Sequence, residues 1–419
     1  MPKVFSSIYR PRWFIERLAP VGRIISVKRK QISERCFSKS PMTLLEKFSS
    51  VSFKGPGFDQ IRFAAAMLVV AHHSWWGVHD LLYWYSKKFV HFGLLAVIVF
   101  FCISGFLVAP GLVRFRDVIR FGVHRSLRIF PALIVVVFAS MFVLGPIVTT
   151  ESLTNYFSDP LLYLYAKNAA TLMAHYLPGV TEDGQPLVIN GALWTLNIEV
   201  YSYIGLAVLS LVGALKRRIF ALSIFIVTYV IYGITSLDSI FSVILPDRVT
   251  NFISLFVYFI AATNLFLYGD RVPFSAVLAA SAFVAVLIGL ALGLGAIVMP
   301  ICVPYLTVFL GLSVLPGRAV LRHDLSYGVY LIHSPVIIAV TLLLQLSAGW
   351  LTALITALIT LILAYLSWTV VERPALKQKD AISGWVSVQV RRAFGQGLFG
   401  QRLPVPGLQT NQPSANDPE

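Results

Sequence analysis

Residues 90–109 read VHFGLLAVIVFFCISGFLVA, a run without a single Asp, Glu, Lys or Arg. A hydrocarbon core about 30 Å thick is crossed by about 20 apolar residues rising 1.5 Å each, so this run has the length and composition of one membrane crossing. Lipid offers no water to the backbone polar groups, so such a crossing is a helix. Apolar runs of the same kind recur around it, near 61–81, 130–149, 193–215, 219–236, 251–268, 275–294, 297–315, 325–346 and 350–370. Together they predict an all-α, polytopic transmembrane bundle of about ten helices, its least sharply divided pair broken only by Gly295 to Pro300.

The rest of the composition agrees. Of 419 residues, 57% are hydrophobic and only 13% charged, with a mean hydropathy of +0.77, which excludes a soluble fold of this size. Cys36, Cys102 and Cys302 are far apart and form no CxxC pair, so neither a disulfide framework nor a metal site is expected. The net charge of +15 would suggest nucleic acid in a soluble protein, but its placement gives a better account. With both termini cytoplasmic, the inner connections carry Arg114, Arg116, Arg120, Arg125 and Arg128, then Lys216, Arg217 and Arg218, then Arg271, Arg318 and Arg322. The outer connections hold only Lys87, Lys88, Lys167 and Arg248, as the positive-inside tendency requires. Membrane lipids, and no nucleic acid, are therefore the expected surroundings.

The organisation that follows is a basic cytoplasmic arm over 1–57, a transmembrane domain over 58–376 and a polar, disordered cytoplasmic tail over 377–419. An Arg-rich, acid-poor start also resembles an organelle transit peptide; binding at the membrane surface is the preferred reading. The longest outer connection, about 150–192, either covers a site or lies as a surface link on the membrane.

Ionisable groups at membrane depth cost roughly 3 kcal/mol or more, so each needs a partner or a purpose. Arg62 and His73 are separated by three helical turns plus about 20°, which puts them on one face and about 16 Å apart along the axis. Asp59 lies one turn before Arg62. Histidine is suited to taking a proton from a hydroxyl and returning one, although a histidine bonded between helices would look the same. Ser104 and Gly105 would let a neighbouring helix approach closely. Arg125 and Arg128, one turn apart, suit phosphate groups, with ordinary inner-side charge or lipid headgroup contact as the plainer account. Trp194 and Glu199 open one helix, and Tyr327, Tyr330 and His333 share a broad face of another, forming a polar seam that could equally link helices.

The motifs FDQIRFAAAMLVVAHHS, FFCISGFL, HRSLRIFP, LWTLNIE, LSYGVYLIH and VERP, in that order over residues 56–376, resemble the acyltransferase type 3 membrane family. The resemblance implies an enzyme that takes an acyl group, most often acetyl, from acetyl-CoA or another acyl-CoA, without a metal, and places it on a glycan or lipid-linked glycan across the bacterial inner membrane. It implies that His73 is catalytic with Arg62, and that Arg125 and Arg128 bind the acyl-CoA. His73 would act as base or as nucleophile, and Glu199 would orient His73 or the acceptor. Some relatives carry an extra outer hydrolase-like domain; this chain resembles the standalone kind. A transporter or flippase for lipid-linked glycans is the alternative, since it too would want a polar seam in an apolar bundle.

Overall fold

The computed structural model describes residues 42–53, 55, 57–115, 117–237, 245–313 and 323–394. Most of the expected basic arm and the end of the expected tail lie outside the described residues. The described chain opens with α1 (Leu44–Ser50), whose start is a capping box: Thr43 Oγ1 accepts from Glu46 N at 3.2 Å and Glu46 Oε2 accepts from Thr43 N at 2.8 Å. Then come α2 (Gly57–Ser74), α3 (Trp76–Tyr85), α4 (Phe92–Phe115), α5 (Val118–Ala139), α6 (Leu193–Leu211), α7 (Arg218–Leu237), α8 (Asp247–Leu267), α9 (Ala276–Leu292), α10 (Gly295–Ser313), α11 (Ser326–Leu344), α12 (Trp350–Ser367) and α13 (Lys379–Phe394). Apart from one hairpin pairing Thr181–Glu182 with Gln185–Pro186, the named elements are helical.

Each apolar run is helical, but the one expected over 61–81 is divided at the extended Trp75 between α2 and α3. Seven are long and apolar enough to span a membrane on length and composition: Phe92–Val113, Val118–Val148, Arg218–Ser236, Asp247–Leu267, Gly295–Ser313, Ser326–Leu344 and Trp350–Lys377. Helix α9 is shorter, at 17 residues. The other two, α2 and α6, carry Asp59, Arg62, His72, His73, Asn197 and Glu199 within apolar surroundings. The two helices that fall short on apolarity are thus the ones that bring ionisable groups inward.

Helix α4 lies at the centre, packed on α2, α8 and α10, while α11 packs on α2 and α12. Gly105 allows the approach of α8: a Cβ there would stand 2.1 Å from the Phe259 carbonyl oxygen, and Thr263 Oγ1 donates to the Gly105 carbonyl at 3.1 Å. Among the described residues, two helices contain a π turn. One, Ser140–Leu144, carries α5 on into a short turn at Gly145–Val148; the other, Trp368–Glu372, carries α12 on into Arg373–Lys377. A π turn places one more residue in the coil than an α-helix would hold.

The tail expected to be disordered from residue 377 is helical over its first part. Ile382, Val386 and Val390, at helical spacing, face Val118, Gly122 and Val123 of α5 across an apolar groove, so α13 lays one half-buried stripe against α5. Arg120 and Asp380 pair at 2.8 Å beside it. At the other end of the bundle the long connection between α5 and α6 finishes stitched to α11. Asn190 Nδ2 donates to the Leu331 carbonyl at 2.9 Å, Ser334 Oγ to the Ile189 carbonyl at 3.1 Å, and Gly191 N to Ser334 Oγ at 3.3 Å.

Candidate active site

Two cavities open into the bundle where α2, α4, α6 and α11 meet. The first, of about 80 Å³, is bounded by Arg62 from α2, Ser104 from α4, Arg125 and Arg128 from α5, Glu199 and Tyr203 from α6, and Tyr327 and Tyr330 from α11. Its guanidinium groups are not equivalent. Arg128 donates to Asp324 Oδ2 at 2.6 Å and lies 3.6 Å from Glu372 Oε2, with its Cζ 5.5 Å from the Tyr327 ring centre. Both acids are themselves held, Asp324 by Ser326 Oγ at 2.7 Å and Glu372 by Ser367 Oγ at 3.1 Å. Arg62 pairs with Asp59 at 3.3 Å, one turn earlier on the same helix. Arg125 stands 5.8 Å from the Tyr203 ring centre, and its buried Nε has no hydrogen-bond partner. Of the two α5 arginines that line this cavity, Arg125 therefore keeps donor capacity, while Arg128 already bridges two carboxylates.

Burial pushes the Asp324 carboxyl up, but the Arg128 and Arg62 charges and the hydrogen bonds from Ser326 outweigh it and hold the group below the usual carboxylate range. Glu199 accepts from Ser104 Oγ at 3.1 Å and, by a short bond, from the Tyr203 hydroxyl. Tyr327 donates to the Ile129 carbonyl at 2.7 Å, tying α11 to α5 just beyond Arg128.

The second cavity is larger, about 570 Å³, and is lined by His72, His73, His91, Trp194, Ser254 and Tyr330 among others. His73 is exposed to it, and His73 Nδ1 lies 2.9 Å from the Val69 carbonyl. A carbonyl can only accept, so neutral His73 carries its proton on Nδ1, which makes Nε2 the basic nitrogen of the ring. The His73 ring centre is 5.2 Å from that of fully buried His333, whose Nδ1 is 2.7 Å from the Tyr330 carbonyl. On the adjacent face His72 stacks on His91 at 4.3 Å between ring centres. Gly93 permits that stack, because a Cβ there would sit 2.4 Å from the His72 ring.

Every residue singled out in the sequence lies at one of these cavities or in contact with a lining residue, but the set is divided. Arg62, Arg125, Arg128, Glu199 and Tyr327 belong to the arginine cavity, His73 and Trp194 to the histidine cavity, and Tyr330 to both. Asp59 and His333 stand behind Arg62 and His73. Glu199 faces the arginine cavity and is not among the residues around His73, so the expectation that it orients His73 has no support in the geometry. Ser104, expected to serve packing, also holds Glu199. Asp324 and Tyr203 were passed over in the sequence, and Glu372 entered only as part of the motif VERP. An acid just before the polar seam, and another closing an apolar run, were the available signals. Among the described residues no group of three or more His, Cys, Asp or Glu could hold a metal ion.

A family model described as "Acyltransferase domain" matches residues 56–369. The chain is 29% identical over 333 residues to a protein of Shigella phage Sf6 named "O-acetyl transferase", covering 77% of this chain and 96% of that one. It is also 29% identical over 355 residues to "Nodulation protein 10" of Rhizobium leguminosarum bv. viciae, covering 78% and 94% respectively. No solved structure matches.

Proposed function

The chain belongs to this acyltransferase family, and from that premise we propose that it moves an acyl group, acetyl first among them, from acyl-CoA at the arginine cavity to a hydroxyl of a glycan or lipid-linked glycan at the histidine cavity. The observation that carries the reading is the division itself. A cation-lined cavity suited to phosphates and a histidine-bearing cavity meet at Tyr330 and Val97 inside one membrane bundle. The phage relative's name supports oxygen as the accepting atom and acetyl as the group. The family match leaves the transporter alternative without support.

Arg125, with an uncommitted Nε, meets a coenzyme phosphate, and Arg62 orients the thioester end. Arg128 holds the cavity wall by spanning Asp324 and Glu372. His73 Nε2 takes the proton of the acceptor hydroxyl as its oxygen attacks the thioester carbonyl. The carbon–oxygen bond forms, the carbon–sulfur bond breaks with its electron pair leaving on sulfur, and the proton passes from His73 to that thiolate. By alternation of the crossings, the arginine end carries the basic connections, so it is the cytoplasmic side of a bacterial inner membrane. Mass spectrometry of surface glycans from cells with and without the protein tests the reading. Modified sugars should lose one acyl mass in its absence, and identical spectra would remove the assignment.

A further inference from the structure

The two cavities share a wall. Val97 of α4 and Tyr330 of α11 line both, and each is only 7% exposed. The Tyr330 ring stands edge-on to Phe100 at 5.6 Å between ring centres. Its hydroxyl lies 2.5 Å from Thr195 Oγ1 and 3.1 Å from the Ala192 carbonyl, which also accepts from Thr195 at 3.0 Å. This latch ties α11 to the first turn of α6. The Tyr330 carbonyl holds His333 Nδ1, so the same residue is coupled to the ring beside His73.

An acyl carbon that leaves sulfur for oxygen must come within about 3–3.5 Å of the attacking oxygen. If the coenzyme stays on the arginine side and the hydroxyl waits beside His73, that carbon lies at the wall, and its remaining methylenes meet Val97 and Tyr330. Val97 is β-branched and held to one rotamer in its helix, so this part of the wall is stiff. Resting on the donor and acceptor assignment above, we propose that Val97 and Tyr330 form a septum that sets the size of the acyl group transferred. Short acyl groups pass, and each further methylene meets closed packing.

The test compares kcat/KM for acetyl-, butyryl- and hexanoyl-CoA in membrane vesicles that carry the acceptor glycan, for the wild type and for Val97→Ala, Val97→Ile and Tyr330→Phe. One methylene in a fitted pocket is worth about tenfold or more in discrimination. Val97→Ala should therefore raise the butyryl-to-acetyl ratio about tenfold, and Val97→Ile should lower it. Tyr330→Phe, which keeps the ring and opens the latch, should raise it by a smaller factor. Ratios that stay within twofold of the wild type in all three variants, with acetyl transfer still measurable, overturn the septum and leave the donor assignment standing. A wild type that uses none of the three thioesters overturns both. A general loss of folding would lower all three rates together, which the ratio does not register.

Discussion

The arginine cavity and the histidine cavity lie on either side of one tyrosine, yet they are built on opposite plans. The first is small and crowded with charge, and Arg62 and Arg128 already face carboxylates. The second is about seven times larger, walled by imidazole and aromatic rings with no Asp, Glu, Lys or Arg among its described lining residues, and His73 stands open to it. A site that must hold a polyanion in a membrane needs cations kept in place by counter-charges before the ligand arrives, because a bare buried charge is costly. A site that must deprotonate a hydroxyl needs one basic nitrogen of fixed tautomer and room for the acceptor. On the proposed reading, the difference gives holding the donor and doing the chemistry to separate walls.

That separation breaks most sharply in kinetics. His73→Ala should lower kcat by about 10²–10⁴-fold with little change in KM for the acyl-CoA, the usual worth of a positioned proton acceptor. Arg125→Gln should do the reverse and raise that KM by about tenfold or more, as expected for loss of a charge-assisted hydrogen bond. Steady-state rates at varied donor concentration distinguish them; if both variants change the same constant, the two-wall picture fails. Arg128→Ala should act on folding more than on either constant. It strands Glu372, whose side chain is 2% exposed, together with Asp324, so a loss of about 3–5 kcal/mol is expected, read as a lower melting temperature in detergent. Adding Glu372→Gln to that variant should recover part of the loss.

The smallest effect is that of pH on the arginine side. Asp324 is held below its ordinary range, so its contribution to stability is present above the unfolded carboxylate value of about 3.9 and is lost as pH falls through the lower folded value. Wild type should therefore melt above Asp324→Asn at pH 7, and the gap should close as the pH is taken below about 4. A gap that widens on acidification would mean that Asp324 does not act as the counter-charge of Arg128.

Much of this architecture was legible in the chain, because lipid makes length and apolarity decisive: the runs at 90–109 and 325–346 became α4 and α11. The shared face of Arg62 and His73 was also legible from helical spacing alone. What spacing along one helix could not give is which cavity each side chain enters, since that depends on Tyr330 and Val97, contributed by other helices. Asp324 stayed hidden for a similar reason: its partner Arg128 is 196 positions away in the chain. The helix α13 was missed because its polar composition outweighed a narrow stripe of Ile382, Val386 and Val390, which finds its partner surface only once α5 is in place.

The π turn at Trp368–Glu372 has a consequence for phase. One extra residue within the coil rotates everything after it by about 100° relative to an uninterrupted α-helix. Residues along α12 before the turn, such as Leu358 and Ile362, look outward, at 55% and 63% exposure, whereas Glu372 at its end looks in at Arg128. The turn works as a half-step in a screw thread, bringing an acid onto the inner face of a helix whose outer face is greasy. Deleting a single residue between 368 and 371 would carry Glu372 round toward the lipid, though every side chain of the ion pair were still in the sequence.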